Sequence, residues 1–243
     1  SRAAKQRKQT SITIGTSNRT YDLRGGITYG SGITKKGWSI SASLFGRWAK
    51  SGYVKGTEMQ SISYFLSVQK MFKTQSLALT VFGAPTKQGK AASTTQEAYD
   101  LAGSNYYNPN WGYQEGKIRN SRVEYRHQPT MILTHEWKPK ESMHLMTAGG
   151  YSFGERSLSS IDRNTNVEDP RPDYYKYLPS YFDDSTTQDT YNQVFTDIVS
   201  NPDKLQLNWN RLYEVNNNVT PETINNVNGQ AGNSVTGKNA VYI

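Results

Sequence analysis

The chain has 243 residues, no cysteine, 35% hydrophobic residues and a formal net charge of +8, with a mean hydropathy of −0.77. It has no unbroken apolar run of about 18 residues, which excludes a transmembrane helix. The missing cysteines exclude disulfides, thiolate catalysis and cysteine-based metal sites. A membrane β-barrel stays open, because its strands alternate and keep hydropathy low.

The opening SRAAKQRKQTS is polar and basic, without signal-peptide character; it reads as the start of a mature protein or as a piece from inside a longer one. Seven stretches then read as strands: Thr10–Thr16, Thr20–Gly32, Gly37–Trp48, Met59–Phe72, Ser76–Gly83, Arg122–Trp137 and Met143–Gly154. Their faces are sorted with a period of two. In SISYFLSVQKMF, Ile62, Tyr64, Leu66 and Val68 point one way, and Ser61, Ser63, Ser67 and Gln69 the other. Leu77, Leu79 and Val81 oppose Ala78 and Thr80; Leu145, Tyr151 and Phe153 oppose His144, Gly150 and Ser152. The second face is Ser, Thr, Gly and Arg, too polar to close a core against another sheet. The apolar face is therefore expected to meet lipid.

The links alternate in length. Thr34–Lys36, Lys73–Gln75 and Lys138–Ser142 are tight turns; Ala49 to Glu58, about forty residues from Ala84, and everything after Gly154 are long. Ser17-Asn18-Arg19 is the misfit, short where a long link belongs. Aromatics sit near strand ends, as interface girdles do: Trp38, Trp48, Phe72, Trp137 and Tyr151. Residues 1–90 hold 15 basic and 2 acidic side chains, residues 159–243 hold 6 and 11. The basic residues are scattered over strand ends and turns rather than packed in one run, which argues against a nucleic-acid partner.

The strings LTVFGAPTKQGKAA, QEAYDLAGSNYYNPNWGYQEGKIRNSR, HEWKP and EDPRPDYYKYLPSY, with RWAKSGYVKGTEMQSISYFLSVQK, resemble the TonB-dependent receptors of Bacteroidetes over roughly residues 10–185. The resemblance implies the early part of a bacterial outer-membrane barrel of about 22 strands. It also implies a plug domain, drive from TonB with ExbB and ExbD, and import of a bulky nutrient of siderophore, glycan, peptide or cobalamin type. Lipid, lipopolysaccharide and a surface lipoprotein or larger outer-membrane complex are the further partners it implies. A non-transporting barrel subunit of such a complex and a passive porin remain as alternatives. On this reading the fold is an all-β, antiparallel transmembrane barrel segment. Residues 1–154 supply wall strands, periplasmic turns and extracellular loops at 49–58 and 84–121, and residues 155–243 a long acidic extracellular region. Seven strands cannot close such a barrel, so plug and remaining wall are expected outside this sequence.

Candidate residues follow from these readings. Tyr106, Tyr107, Asn110, Trp111 and Tyr113 combine flat faces and amides, as a sugar or peptide platform does; equally, they are what a loop folded on its own aromatics would contain. Arg24 and Arg47, with Asp22, share the lumen parity; the arginines either attract an anionic substrate or pair with plug carboxylates or with Asp22. His127 and His135 are about 26 Å apart along one strand and cannot share a metal, and His135 and His144 point to opposite faces. Asp162, Glu168, Asp169, Asp173, Asp183, Asp184 and Asp189 are the residues from which a structural calcium site in an outer loop would be drawn, though no regular calcium loop is present. QLNWNRLYEVNNN, from Gln206, is read as a short helix or strand, and NGQAGNSVTGKN as flexible. No nucleophile elbow, phosphate loop or HExxH motif occurs, so no enzyme and no organic cofactor is expected.

Overall fold

The computed structural model describes residues 3, 7–161, 169–184, 186–218, 222–225, 232 and 234–237. The strands in chain order are β1 (Gln9–Gly15), β2 (Leu23–Ile33), β3 (Trp38–Ala49), β4 (Met59–Met71), β5 (Gln75–Gly83), β6 (Thr86–Gly89), β7 (Trp111–Gln114), β8 (Lys117–Asn120), β9 (Val123–His127), β10 (Thr130–Lys140), β11 (Met143–Ser152), β12 (Glu155–Leu158), β13 (Glu222–Asn225) and β14 (Ser234–Gly237). The α-helices are α1 (Gln96–Leu101), α2 (Gln188–Ser200) and α3 (Trp209–Asn218). The architecture is mostly antiparallel β, and the chain divides into two compact units.

The first unit comprises Ser1–Tyr53, Glu58–Gln88 and Glu124–Leu158. Its sheet runs β1-β2-β3-β4-β5-β10-β11 as an antiparallel meander. β6 continues β5 and pairs with β4 and β9; β12 continues β11 and pairs with β9. Seven strand rows result, as the alternation predicts, with one correction. The expected strand Arg122–Trp137 is broken at Gln128-Pro129, because proline has no N–H for the ladder. The rows beside it break at Ala84-Pro85 and at Phe153-Gly154. Each break is laced to a neighbour: Ile62 N–H donates to Pro85 O (3.0 Å) and Phe153 N–H to Pro129 O (3.2 Å). Gly154 takes φ 121°, and the space a Cβ would occupy there is filled by the carbonyl of His127. Pairing resumes beyond it, so Glu155–Leu158 is strand rather than loop.

Links at Thr34–Gly37, Phe72–Thr74 and Glu141–Ser142 are tight and lie at one end of the strands. Gly37 closes the first with φ 76° and an N–H bond to Thr34 O of 2.8 Å. The misfit link at Ser17–Arg19 is longer than the sequence suggested, because β1 ends at Gly15 and β2 begins only at Leu23.

The second unit comprises Val54–Thr57, Gly89–Val123 and Ser159–Ile243, the connections after β3 and β6 and the extension after β12. Its core is Leu207, Trp209 and Leu212, each at most 1% exposed, with Ile161 packed against it. The stretch from Gln206 resolves as helix α3 beginning at Trp209. Leu207 N–H donates to Trp111 O (2.9 Å), which docks this segment on the β7–β8 hairpin. The guanidinium of Arg119 lies 4.0 Å from the Trp209 ring centroid and donates to the Tyr213 hydroxyl (2.6 Å). That bond holds the Tyr213 phenol below its usual pKa.

Candidate functional site

Register places the apolar residues of the sheet in rows that run across neighbouring strands. One runs Tyr29, Ala42, Leu66, Val81, Met131, Tyr151; the next runs Ile40, Val68, Leu79, Leu133. This face is uncovered: Ile62 is 54%, Leu66 44%, Leu77 44%, Leu79 46% and Leu145 47% exposed. Tyr64 and Val68 are half-buried on the same face.

The opposite face carries the rows Gly30, Ser41, Ser67, Thr80 and Ser39, Gln69, Ala78, Thr134. Here Ser39, Ser41 and Ser67 are at most 1% exposed. A ladder of side-chain hydrogen bonds crosses four strands on this side. Gln69 Nε2 donates to Ser76 Oγ (3.3 Å), Ser76 Oγ donates to Glu136 Oε2 (3.3 Å), and His144 Nε2 lies 3.1 Å from Glu136 Oε1. Sequence reading missed this ladder. Its only signal was polar parity, and the partners are set by the pairing of β5 with β10.

The contrast extends to the whole first unit. Among the described residues its buried apolar side chains are Ala3, Ala49 and Ala78; Trp111, Leu178, Ile198, Leu205, Leu207, Trp209 and Leu212 all belong to the second unit. A water-soluble sheet hides its large apolar residues and shows its serines, since exposing apolar area costs about 25 cal/mol per Å². This sheet does the reverse.

Arg24 and Arg47 are directly opposed on β2 and β3, on the polar side. The Arg24 guanidinium lies 4.9 Å from the Phe45 ring centroid, and its Nε is buried without a hydrogen-bond partner. Asp22 does not pair with either arginine; its Oδ2 accepts the backbone N–H of Lys50 (2.7 Å). Among the described residues neither arginine has a carboxylate partner. His135 bonds Gln75 Oε1 (3.0 Å) on the apolar side and His144 sits on the polar side, so the two diverge.

The five-residue aromatic loop divides. Trp111 is 6% exposed, stacks edge-on with Tyr113 at 5.5 Å, and packs against Gly56. Lys55 Nζ lies 4.4 Å from its ring centroid. Asn110 Nδ2 donates to Lys90 O (3.1 Å). The Tyr107 hydroxyl is buried without a partner, and burial together with the charge of Asp173 raises its pKa. Only Tyr106 and Tyr113 show substantial surface, so most of the loop is used in its own packing. The residues that organise it are two buried asparagines the sequence reading passed over. Asn108 Oδ1 accepts from Ala92 N (3.3 Å) and Asn110 N (3.2 Å), and its Nδ2 donates to Lys55 O (3.1 Å). Asn120 Nδ2 donates to Gly56 O (2.6 Å) and Lys90 O (2.9 Å), and its Oδ1 accepts from Arg122 N (2.7 Å).

Of the acidic candidates, Asp162 and Glu168 lie outside the described residues. Asp169 holds Arg171 through two bonds (2.9 and 2.6 Å), and Asp173 accepts from Thr94 (2.7 Å). Asp184 accepts from Thr186 and Thr187, which lowers its pKa. No cluster of three His, Asp or Glu suited to a metal occurs among the described residues. The second unit also holds a cavity of about 910 Å³, walled by Phe182, Val194, Ile198, Leu212 and Val215. At its rim Arg171 is paired with Asp169, Lys204 with Asp197, and Arg211 with Glu214. The size suits a small organic molecule, but the rim charges are already satisfied within the protein. Comparison with protein-family models, with curated proteins and with solved structures gives no match.

Proposed function

We propose that this chain is a wall segment of a TonB-dependent outer-membrane transporter, with its apolar face against lipid and its serine-rich face toward the lumen. One observation carries the reading. The seven-row sheet buries no apolar side chain larger than alanine among the described residues, while large apolar residues on one face, Leu66, Leu79 and Leu133 among them, are 44%, 46% and 51% exposed. Hydrocarbon covers such a face at no cost, and the inner polar residues then need only hydrogen-bond one another. β1 and β11 are the edges of the sheet. Unpaired edge groups cost several kcal/mol each in hydrocarbon, so the reading requires further strands on both sides. The import of a bulky nutrient, the plug and TonB coupling enter through the sequence resemblance alone.

These 243 residues contribute no cysteine of their own, so labelling at introduced cysteines tests the reading against the unsubstituted full-length protein as the blank. Single cysteines at Leu66, Leu79 and Leu145 in the full-length protein, expressed in whole cells, are expected to resist a water-soluble maleimide. Cysteines at Lys50 and Lys87, toward the strand ends with the longer links, are expected to react. Rapid labelling of all three leucine positions would remove lipid from the apolar face and the transporter assignment with it.

A further inference from the structure

We propose that the tight-turn rim of the sheet binds anionic phospholipid headgroups, with the acyl chains on the apolar face beside it. This rests on the lipid-facing reading of that face.

The three tight turns carry a strongly basic set of charges. Lys35 and Lys36 lie in the first, Lys73 in the second, and Lys138 and Lys140 at the β10 side of the third, with Lys70 one turn-length into β4. Glu141 is the one carboxylate in the turns themselves. Backbone bonds from Met71 N to Gly37 O and from Lys138 N to Thr74 O, both 2.7 Å, join the turns into one rim. None of the six lysines has a carboxylate partner among the described residues. The other end of the sheet is mixed: Arg126 and Arg156 alternate with Glu124 and Glu155, and Arg156 pairs with Glu124 at 2.5 Å.

Lys70 connects charge to apolar surface. It stands on the apolar face, directly opposite Leu77 and Trp38. Its Nζ donates to Lys36 O (2.6 Å) and lies 5.0 Å and 5.6 Å from the ring centroids of Trp38 and Phe72. The stem thus follows the rings while the ammonium reaches the rim. An ammonium has three donors and the carbonyl takes one, which leaves two for phosphate oxygens. A soluble anion would use the charges alone. The continuity of lysines with an aromatic-edged apolar face fits a molecule carrying both a phosphate and hydrocarbon, and the excess of six lysines over the single carboxylate Glu141 selects net negative over zwitterionic headgroups.

The test places a bimane label on Leu77→Cys, beside Lys70, and separately on Leu66→Cys, in the middle of the face. The labelled full-length protein is reconstituted with brominated phosphatidylglycerol or brominated phosphatidylcholine. At Leu77→Cys, phosphatidylglycerol is expected to quench with an apparent affinity at least about fivefold higher, the effect of one lysine near an anionic surface. That preference is expected to shrink in about 0.5 M salt, where screening is short-ranged, and in a Lys36→Gln, Lys70→Gln, Lys73→Gln variant. At Leu66→Cys both lipids should quench alike. Equal quenching at Leu77→Cys would overturn the headgroup proposal and leave the lipid-facing reading intact. No quenching by either lipid at either position would overturn both.

Discussion

The ring of Tyr64 on β4 covers the backbone of Gly83 on β5, filling the space where a Cβ would project, and its hydroxyl lies 3.0 Å from Nε2 of His127. The aromatic ring thus shields a glycine stretch of strand just before the Ala84-Pro85 break and ties β4 to β9. Gly83→Ala is expected to displace the ring and cost about 1–3 kcal/mol. Tyr64→Phe, which keeps the ring and loses the bond to His127, should cost about 1 kcal/mol. Thermal unfolding of the full-length protein in detergent reads both, and the alanine variant should melt at the lower temperature.

Arg24 and Arg47 repel each other across β2 and β3, and no described carboxylate offsets them. On the transporter reading the missing anion is a plug carboxylate. Arg47→Glu is then expected to destabilise the full-length protein by about 1–3 kcal/mol, read as a lower melting temperature, because it puts like charge against that carboxylate. A rise in stability, as an isolated cross-strand ion pair with Arg24 would give, would mean that nothing anionic faces the pair.

The strands were legible because their alternation is strong and local: Ile62 to Val68 needs no partner to declare its two faces. The strand expected over Arg122–Trp137 ran through Pro129, whose missing N–H is the local signal of the break, whereas pairing of Glu155–Leu158 with β9 has no local signal, since it depends on a register set elsewhere in the sheet. The Gln69–Ser76–Glu136–His144 ladder was hidden for the same reason. Trp111 and Asn110 left a binding surface open as one reading because their partners, Lys55 and Gly56 for Trp111 and Lys90 for Asn110, are remote in sequence. Leu207, Trp209 and Leu212 sit in an Asn-rich stretch whose weak apolar content gave no hint of a core.

Glu58 precedes β4, half-buried, with Oε2 lacking a hydrogen-bond partner. Burial raises its pKa; its own backbone N–H and the charge of Lys87 oppose the shift without cancelling it. A carboxyl whose folded pKa lies above its unfolded value binds more protons when folded, so stability falls as pH rises from the ordinary glutamate range through the raised value. Glu58→Gln is expected to raise the melting temperature at pH 7 and to lose that advantage near pH 4, where the native side chain is protonated. A lower melting temperature for the variant at pH 7 would show that the carboxylate is stabilised by a partner.

Gly112 on β7 is buried, and the position of a Cβ there coincides with the backbone carbonyl of Leu207. A flexible side chain would move aside; this carbonyl belongs to the segment whose N–H bonds Trp111 O, so it moves only if the segment lifts. Gly112→Ala should therefore separate Leu207, Trp209 and Leu212 from the hairpin, break the Leu207–Trp111 hydrogen bond and cost about 2–4 kcal/mol. Trypsin reads the effect directly, because Lys204 and Arg211 flank the docked segment. Cleavage after both is expected to accelerate in Gly112→Ala. Gly149→Ala, where a Cβ meets open space, serves as the control and should leave the digestion rate unchanged. Equal digestion of the Gly112→Ala variant and the parent would mean that the Leu207 segment does not rest on β7 in solution.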